Sequence, residues 1–293
     1  MSAPDIIPPE RRRPGRHPEP GWRPELVALD IDGTLFTAGH GVASNTVDET
    51  ISPAVREAVD RVLEAGSHVV LATGRSTFGI TRVLDMLELP RTKGDKVYTV
   101  ASNGSVTFAY PPVELLSTVT FDASEVVREL LEHVPQALVA VEEVGIGYRV
   151  NRHFPDGEIT GEMTLQSVDR LVSEPVTRVV IRDPDSSSED FIELAERLGL
   201  HGINYYIGWT AWLDLAPAGV SKASGLASVC ERLGVAPEDV LAIGDGRNDG
   251  EMLQWAGRGV AMGQAPLEVQ EAADDVTHAV EDDGAATELA RWF

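Results

Sequence analysis

The chain has 293 residues, 43% of them apolar, and a formal net charge of -23. That length supports one large or two moderate domains, and that apolar fraction excludes a wholly disordered chain. The charge excludes nonspecific attraction to nucleic acid or to anionic lipid, so an anionic ligand would need local positive charge or a metal at its site.

Residues 1–20 are rich in proline, carry Arg11, Arg12, Arg13 and Arg16, and read as a disordered tail. The start lacks the apolar core of a signal peptide, and the sequence has no run of about 18 apolar residues, so no membrane span is expected. Next, "LVALDIDGTLF" is an apolar strand that ends in Asp30 and Asp32. Asp-Gly between apolar segments is also a hairpin signal, so these eleven residues alone leave two readings open. Either they turn, or they display two carboxylates at a strand's carboxyl end.

"SPAVREAVDRVLEAG" reads as a helix with Ser52 as cap, Pro53 in the first turn and Gly66 past the end. Val55, Val59, Val62 and Leu63 then share one face. "HVVLATGR" is a second strand ending in Thr73 and Arg75, followed by a helical stretch through "TRVLDMLEL". "KVYTVASNG" repeats the strand-then-polar pattern and ends at Asn103. Strands alternating with helices predict parallel pairing and an α/β layered fold, with sites beyond the strands' carboxyl ends.

From 111 to 205 the character changes. "STVTF", "ALVAVEEVG", "GYRVNRH", "VTRVVIRD" and "INYYIG" read as strands, with two helices, "SEVVRELLEHV" and "SEDFIELAERLG", each opening on a serine cap candidate. This stretch is expected to be an inserted α+β module, within a core made of 21–110 and 206–293. Afterwards "SKASGLASVCERLGV", "EDVLAIGDGRNDGEML" and "RGVAMG" restore the α/β alternation. Cys230, the single cysteine, reads as a buried structural thiol and fits a reducing cytoplasm. Trp209, Trp212, Met252 and Leu253 read as core, and Arg152 and His153 as a solvated loop.

Three strands therefore end alike, at Asp30–Asp32, at Thr73–Arg75 and at Asp245–Asp249, and Lys222 opens the helix before the last. If those strands are parallel neighbours, at least three carboxylates, a hydroxyl and an ammonium meet on one edge. Crowded carboxylates repel one another unless a cation intervenes. Oxygen ligands without paired His or Cys point to Mg²⁺.

These residues resemble the haloacid dehalogenase (HAD) superfamily, in its Cof-type branch of capped phosphatases. "DIDGTLF" matches its first motif, the threonine of "LATGR" its second, Lys222 in "GVSKASGL" its third and "GDGRND" its fourth. "ASNGS" and "EDDGAATEL" resemble further segments of that branch, and the motifs occur in the family's order from residue 25 onward. Four in order exclude the hairpin reading. The resemblance implies a Rossmann-like core with an inserted cap, placed after the second motif because the long gap, residues 76–221, lies there. It also implies a flap, and "FTAGHGVASNTVDET" is longer than the family's usual one.

By the resemblance, Asp30 is the nucleophile that becomes an aspartyl phosphate, and Asp32 is the general acid and base. Asp30 and Asp245 would bind Mg²⁺ through side chains, Asp32 through its backbone carbonyl, and Asp249 would orient the metal's waters. Thr73 and Lys222 would hold phosphoryl oxygens, with Gly33 and Asn248 also at the phosphate, while Asn103 and Arg75 are candidates for substrate contact. For Gly33 an ordinary turn, and for Arg75 a surface charge, are the competing readings. The expected function is a Mg²⁺-dependent phosphatase of small phosphorylated metabolites, sugar phosphates or nucleotide-related phosphates, without nucleic-acid or membrane partners. A phosphomutase on the same scaffold, or a non-catalytic phospho-ligand sensor, is the alternative.

Overall fold

The computed structural model describes residues 21–36, 50–183, 186–198, 203–207 and 212–293. The expected tail, most of the expected flap, and Trp209 lie outside them. In chain order the elements begin with β1 (Leu26–Leu29), α1 (Pro53–Glu64), β2 (His68–Ala72), α2 (Thr77–Met86), β3 (Val97–Ala101), β4 (Val106–Tyr110) and β5 (Glu114–Thr118). Then come α3 (Ser124–His133), β6 (Leu138–Glu143), β7 (Gly147–Val150), β8 (Glu162–Leu165), α4 (Val168–Leu171), β9 (Val179–Arg182), α5 (Ser188–Leu198), β10 (Ile203–Ile207) and β11 (Trp212–Pro217). The chain closes with α6 (Lys222–Leu233), β12 (Val240–Gly244), α7 (Gly250–Trp255), β13 (Arg258–Ala261), α8 (Leu267–Ala272), β14 (Asp275–Val276) and α9 (Gly284–Leu289).

One sheet runs in the order β14-β13-β12-β1-β2-β3-β4-β5. Pairing is parallel from β14 through β3 and antiparallel from β3 to β5. Successive strand residues point to opposite faces, and both faces of this sheet are covered. Val27, Leu29, Leu71 and Ile243 pack with α1, α2 and α9, whereas Ala28, Val70, Val240 and Ala242 pack with α6, α7 and α8. Burying one such Leu or Val contributes about 1.5–3 kcal/mol, so the whole sheet edge sits on a rigid base. Register matters most for the site. Leu29 lies opposite both Leu71 and Ile243, so β1, β2 and β12 run out at the same level.

The second sheet, in the order β10-β11-β9-β6-β7-β8, is antiparallel apart from β7–β8. The helices α3, α4 and α5 cover one of its faces through Val127, Leu130, Leu171, Phe191 and Leu194. Sheet membership divides the chain differently from the expected 111–205. β5 completes the first sheet as the outer strand of an antiparallel hairpin, and β10 and β11 belong to the second. The passage between sheets therefore falls after Thr118 and after Pro217. Composition could not show this, because β4 and β5 join the core by antiparallel pairing while its other strands are parallel.

Local expectations fare unevenly. Ser52 accepts from the Val55 amide at 3.1 Å, with Pro53 opening α1 as expected. Ser124 does not cap: it lies inside α3, where its amide donates to Asp122 Oδ1 at 2.9 Å. At the start of α5 the Ser187 hydroxyl accepts from Asp190 N at 3.2 Å. β8 was not expected: its Glu-Met-Thr-Leu alternates, but over only four residues that are mostly exposed. Cys230 is buried, and burial pushes its thiol up to about 11, which keeps it protonated. Met252 and Leu253 are fully buried, and Trp212 packs edge-on against Phe154.

Candidate active site

Each chemical group sits where its strand stops. Asp30 follows β1, Thr73 and Arg75 follow β2, Asn103 follows β3, and Asp245, Asn248 and Asp249 follow β12. Lys222 is the first residue of α6, where a cation opposes the helix dipole. The Ser221–Ser224 capping box secures that helix end, and the lysine side chain has two anionic partners. Its Nζ donates to Asp30 Oδ1 and to Asp249 Oδ1, both at 2.6 Å, and all three residues are buried. Asp249 spends its second oxygen on the backbone amides of Asp245, at 3.0 Å, and Gly246, at 2.8 Å. Asp249 thus holds both the lysine and the loop that presents Asp245.

One carboxylate oxygen from each of Asp30, Asp245 and Asp249 lies within 4.8 Å of the others. Burial, then Asp249, push the Asp30 carboxyl well above the usual carboxylate range, with Lys222 pulling the other way. Burial and Asp249 likewise push Asp245 up to about 7. Burial works against the Lys222 charge, but Asp249 and Asp30 outweigh it and hold that ammonium above its ordinary range. One ammonium does not offset three buried carboxylates. An all-oxygen cluster left with excess negative charge fits a hard divalent cation.

Asp32 is placed apart. Its carboxylate is outside that cluster and takes both arms of the Arg75 guanidinium, Nε at 2.8 Å and a terminal nitrogen at 2.6 Å. Arg75 also stacks over Phe36, 5.0 Å from the ring centre, and its amide donates to Thr73 Oγ1 at 3.1 Å. The surface-charge reading of Arg75 therefore fails. Gly33 has φ +84°, and a Cβ there would lie 2.1 Å from Asp245 Oδ2. Its close approach is to that carboxylate, so it is more than an ordinary turn residue. Asn103 and Asn248, expected separately, meet: Asn248 Nδ2 donates to Asn103 Oδ1 at 2.9 Å.

Sequence reasoning missed Gln264. Its amide donates to the Gly33 carbonyl at 2.6 Å and to Asp245 Oδ2 at 3.2 Å, while its own oxygen accepts from Val280 N. It thereby fixes the ends of β1 and β12 to each other. Its signal was position, since it follows β13 as the aspartates follow their strands. Arg152, read as a solvated loop residue, is exposed but donates to backbone carbonyls at Gln136 and Ala137.

A doubly wound sheet whose parallel strands deliver carboxylates to one edge, with a second unit inserted, defines a haloacid dehalogenase-like hydrolase. The chain belongs to that family, whose model matches residues 27–289, and it is a phosphomonoesterase of its Cof-type branch. A phosphoglycolate phosphatase of Natronomonas pharaonis is 29% identical over 265 residues, 90% of this chain and 96% of the relative. A 5-amino-6-(5-phospho-D-ribitylamino)uracil phosphatase of Bacillus subtilis is 29% identical over 287 residues, 92% of this chain and 98% of the relative. Among solved structures, a HAD phosphatase of Bacteroides thetaiotaomicron shares the fold with a TM-score of 0.74 at 24% identity, covering 96% of this chain and 99% of that one. Among the described residues no helix is long and apolar enough to cross a membrane.

Proposed function

We propose that this chain hydrolyses small phosphorylated metabolites in a Mg²⁺-dependent reaction that passes through a phosphoryl group carried on Asp30. The observation that carries the reading is the buried Lys222 bridge between Asp30 and Asp249, with Asp245 beside it, at the common end of β1 and β12. Asp30 and Asp245 would hold the cation through their side chains and Asp32 through its carbonyl, with Asp249 behind them. When bound, the ion offsets carboxylate charge and favours phosphoryl oxygens at the site.

In this reading an Asp30 oxygen attacks phosphorus, the bond from phosphorus to the ester oxygen breaks, and Asp32 gives that oxygen a proton. Asp32 then takes a proton from water, the hydroxide attacks the phosphoryl group, and inorganic phosphate leaves as the Asp30 carboxylate is restored. Lys222 and Thr73 hold phosphoryl oxygens, with Gly33 and Asn248 lining the same side. Arg75 takes one lone pair of each Asp32 oxygen, which leaves the others to carry the proton and orients the carboxyl, and Arg75 and Asn103 face the substrate. The unit built on the second sheet, from after Thr118 to Pro217, acts as the cap that selects the leaving group. The relatives named for phosphoglycolate and for 5-amino-6-(5-phospho-D-ribitylamino)uracil support the substrate class. A formal charge of -23 supports a role without nucleic-acid or lipid partners, and a single cysteine supports a cytoplasmic setting.

Phosphate release over a panel of phosphometabolites, with Mg²⁺ or with EDTA, tests this directly. The expected result is release from some members, silenced by EDTA and restored by Mg²⁺. Full release after rigorous chelation would overturn the metal, and release from none would overturn the substrate class.

Thermal unfolding supplies a second check, independent of turnover. Asp245 has a folded pKa raised to about 7, against about 3.9 unfolded, so between those values the folded state binds more protons. Its contribution is present below the lower value and is lost as pH rises through the higher one. In EDTA, Tm should therefore fall as pH rises from about 5 to about 8. Mg²⁺ should raise Tm more at the upper end, where the carboxylates are ionised. A Mg²⁺ effect equal at both ends would contradict the assignment.

A further inference from the structure

Glu142, on β6 of the second sheet, is buried and reaches across to the first unit. Its Oε1 accepts from the Thr77 amide at 3.3 Å, at the start of α2. Its Oε2 accepts from the Ser102 hydroxyl and, at 3.4 Å, from the Thr177 hydroxyl. Thr77 and Ser102 belong to the first unit, and Thr177 to the second. Nearby, Arg178 is already matched, donating to both Asp214 oxygens at 2.7 and 2.9 Å and to the Tyr148 hydroxyl at 2.9 Å. A carboxylate is costly to bury, and a well-packed apolar seam would hold two units together as well or better. Adhesion alone does not explain the choice.

The donors do. Thr77 lies two residues beyond Arg75, and Ser102 directly precedes Asn103. Ser102 and Asn103 have φ of +51° and +54°, a left-handed conformation that is strained for residues with a side chain and needs outside support. That turn touches the segments that follow β2 and β12. Ser102 N donates to the Arg75 carbonyl at 2.8 Å, Asn103 N to the Thr73 carbonyl at 3.0 Å, and the Asn103 side chain accepts from Asn248. Gly104 closes it against α6, where a Cβ would stand 2.0 Å from the carbonyl oxygen of Ser221, next to Lys222. The Ser102 hydroxyl is thus a point where the second unit grips the turn that joins three motifs.

From this geometry we infer that Glu142 is a positioning residue: seated in the seam, it fixes the Ser102–Gly104 turn and so sets Asn103 against Asn248. Docking of the second unit is thereby coupled to the phosphate side of the site. The inference rests on the phosphatase reading above.

Double-mutant cycles test it, with hydrolysis of p-nitrophenyl phosphate in Mg²⁺ as the readout. Glu142→Gln keeps the volume but replaces an acceptor oxygen, Ser102→Ala removes one donor without changing charge, and Asn248→Ala removes the far partner, which Glu142 does not touch. Each single change should lower kcat by about tenfold, as misplacement within a site does, with a smaller change in KM. Glu142→Gln combined with Asn248→Ala should be no slower than Asn248→Ala alone, because both disable one unit. The Ser102→Ala cycle should behave the same way, and it carries the test if Glu142→Gln does not fold. A merely structural Glu142 would lower Tm while its effect on kcat multiplied with that of Asn248→Ala. Multiplying effects, or any of the three single variants at the wild-type rate, would overturn the inference and leave the phosphatase reading intact. Wild-type protein releasing no phosphate from any ester would overturn that reading, and the inference with it.

Discussion

Asp30→Asn is expected to abolish phosphate release, by a factor on the order of 10⁴ or more, as loss of a nucleophile does elsewhere. The amide nitrogen and oxygen are poor attackers of phosphorus, so no phosphoryl group would be carried at this position. The fold should survive. An Asn at position 30 still offers Lys222 an acceptor, which Asp30 provides at 2.6 Å, and it occupies nearly the same volume. Without metal, folding should even be favoured, because burial and Asp249 already push the Asp30 carboxyl well above the usual range. Replacing it with a neutral group removes part of that repulsion. The combined signature is a dead enzyme whose Tm in EDTA equals or exceeds that of the wild type, and whose Tm gains less from Mg²⁺. A purified Asp30→Asn protein releasing phosphate at near the wild-type rate would refute the nucleophile assignment.

That Asp30 was legible in the sequence follows from how parallel sheets are built. An apolar strand buried on both faces announces itself as a continuous run, and its carboxyl end is marked by the first polar residues after it. Asp30, Thr73, Asp245 and Asp249 all stand at such ends, so reading the strands located the edge on which they gather. What the sequence could not carry were contacts made across space by side chains with no local signature. Gln264 is an ordinary polar residue after β13 until its amide is seen to join Gly33 to Asp245. Glu142 sits in "VAVEEVG", where it reads as the exposed half of an alternating strand, yet it is buried against residues 40 and 65 positions away. The pairing of Arg75 with Asp32 likewise needed the strand ends of β1 and β2 brought side by side. The hairpin of β4 and β5 escaped for the opposite reason: it extends a parallel sheet by antiparallel pairing, and nothing in its residues says which neighbour it will choose.

Lys222→Met should produce the largest combined loss of activity and stability. Methionine matches the length of the lysine stem and fills the same buried space, so the change isolates the ammonium. With Lys222 present, one ammonium stands among Asp30, Asp245 and Asp249; without it, the three carboxylates lose the charge that donates to both Asp30 and Asp249. Removing one partner of a buried ion pair costs about 3–5 kcal/mol, since the remaining charge is left unmatched. At roughly 2–4 °C of Tm per kcal/mol for a chain of this size class, the metal-free variant should melt about 10 °C lower. Phosphate release should fall about 10³-fold, because a fixed charge aimed at the transferring group is lost. Lys222→Arg should not restore it, since a planar guanidinium does not fit a fully buried site shaped for a compact ammonium. The deciding variant is Lys222→Met combined with Asp249→Asn. If the bridge is what holds the cluster, neutralising Asp249 should recover part of the lost Tm, whereas activity should stay down because Lys222 acts on the phosphoryl group itself. Recovery of both would make Lys222 a purely structural counter-charge. Recovery of neither, in a protein shown by circular dichroism to be folded, would mean that the Asp30–Lys222–Asp249 bridge does not set the stability of this site.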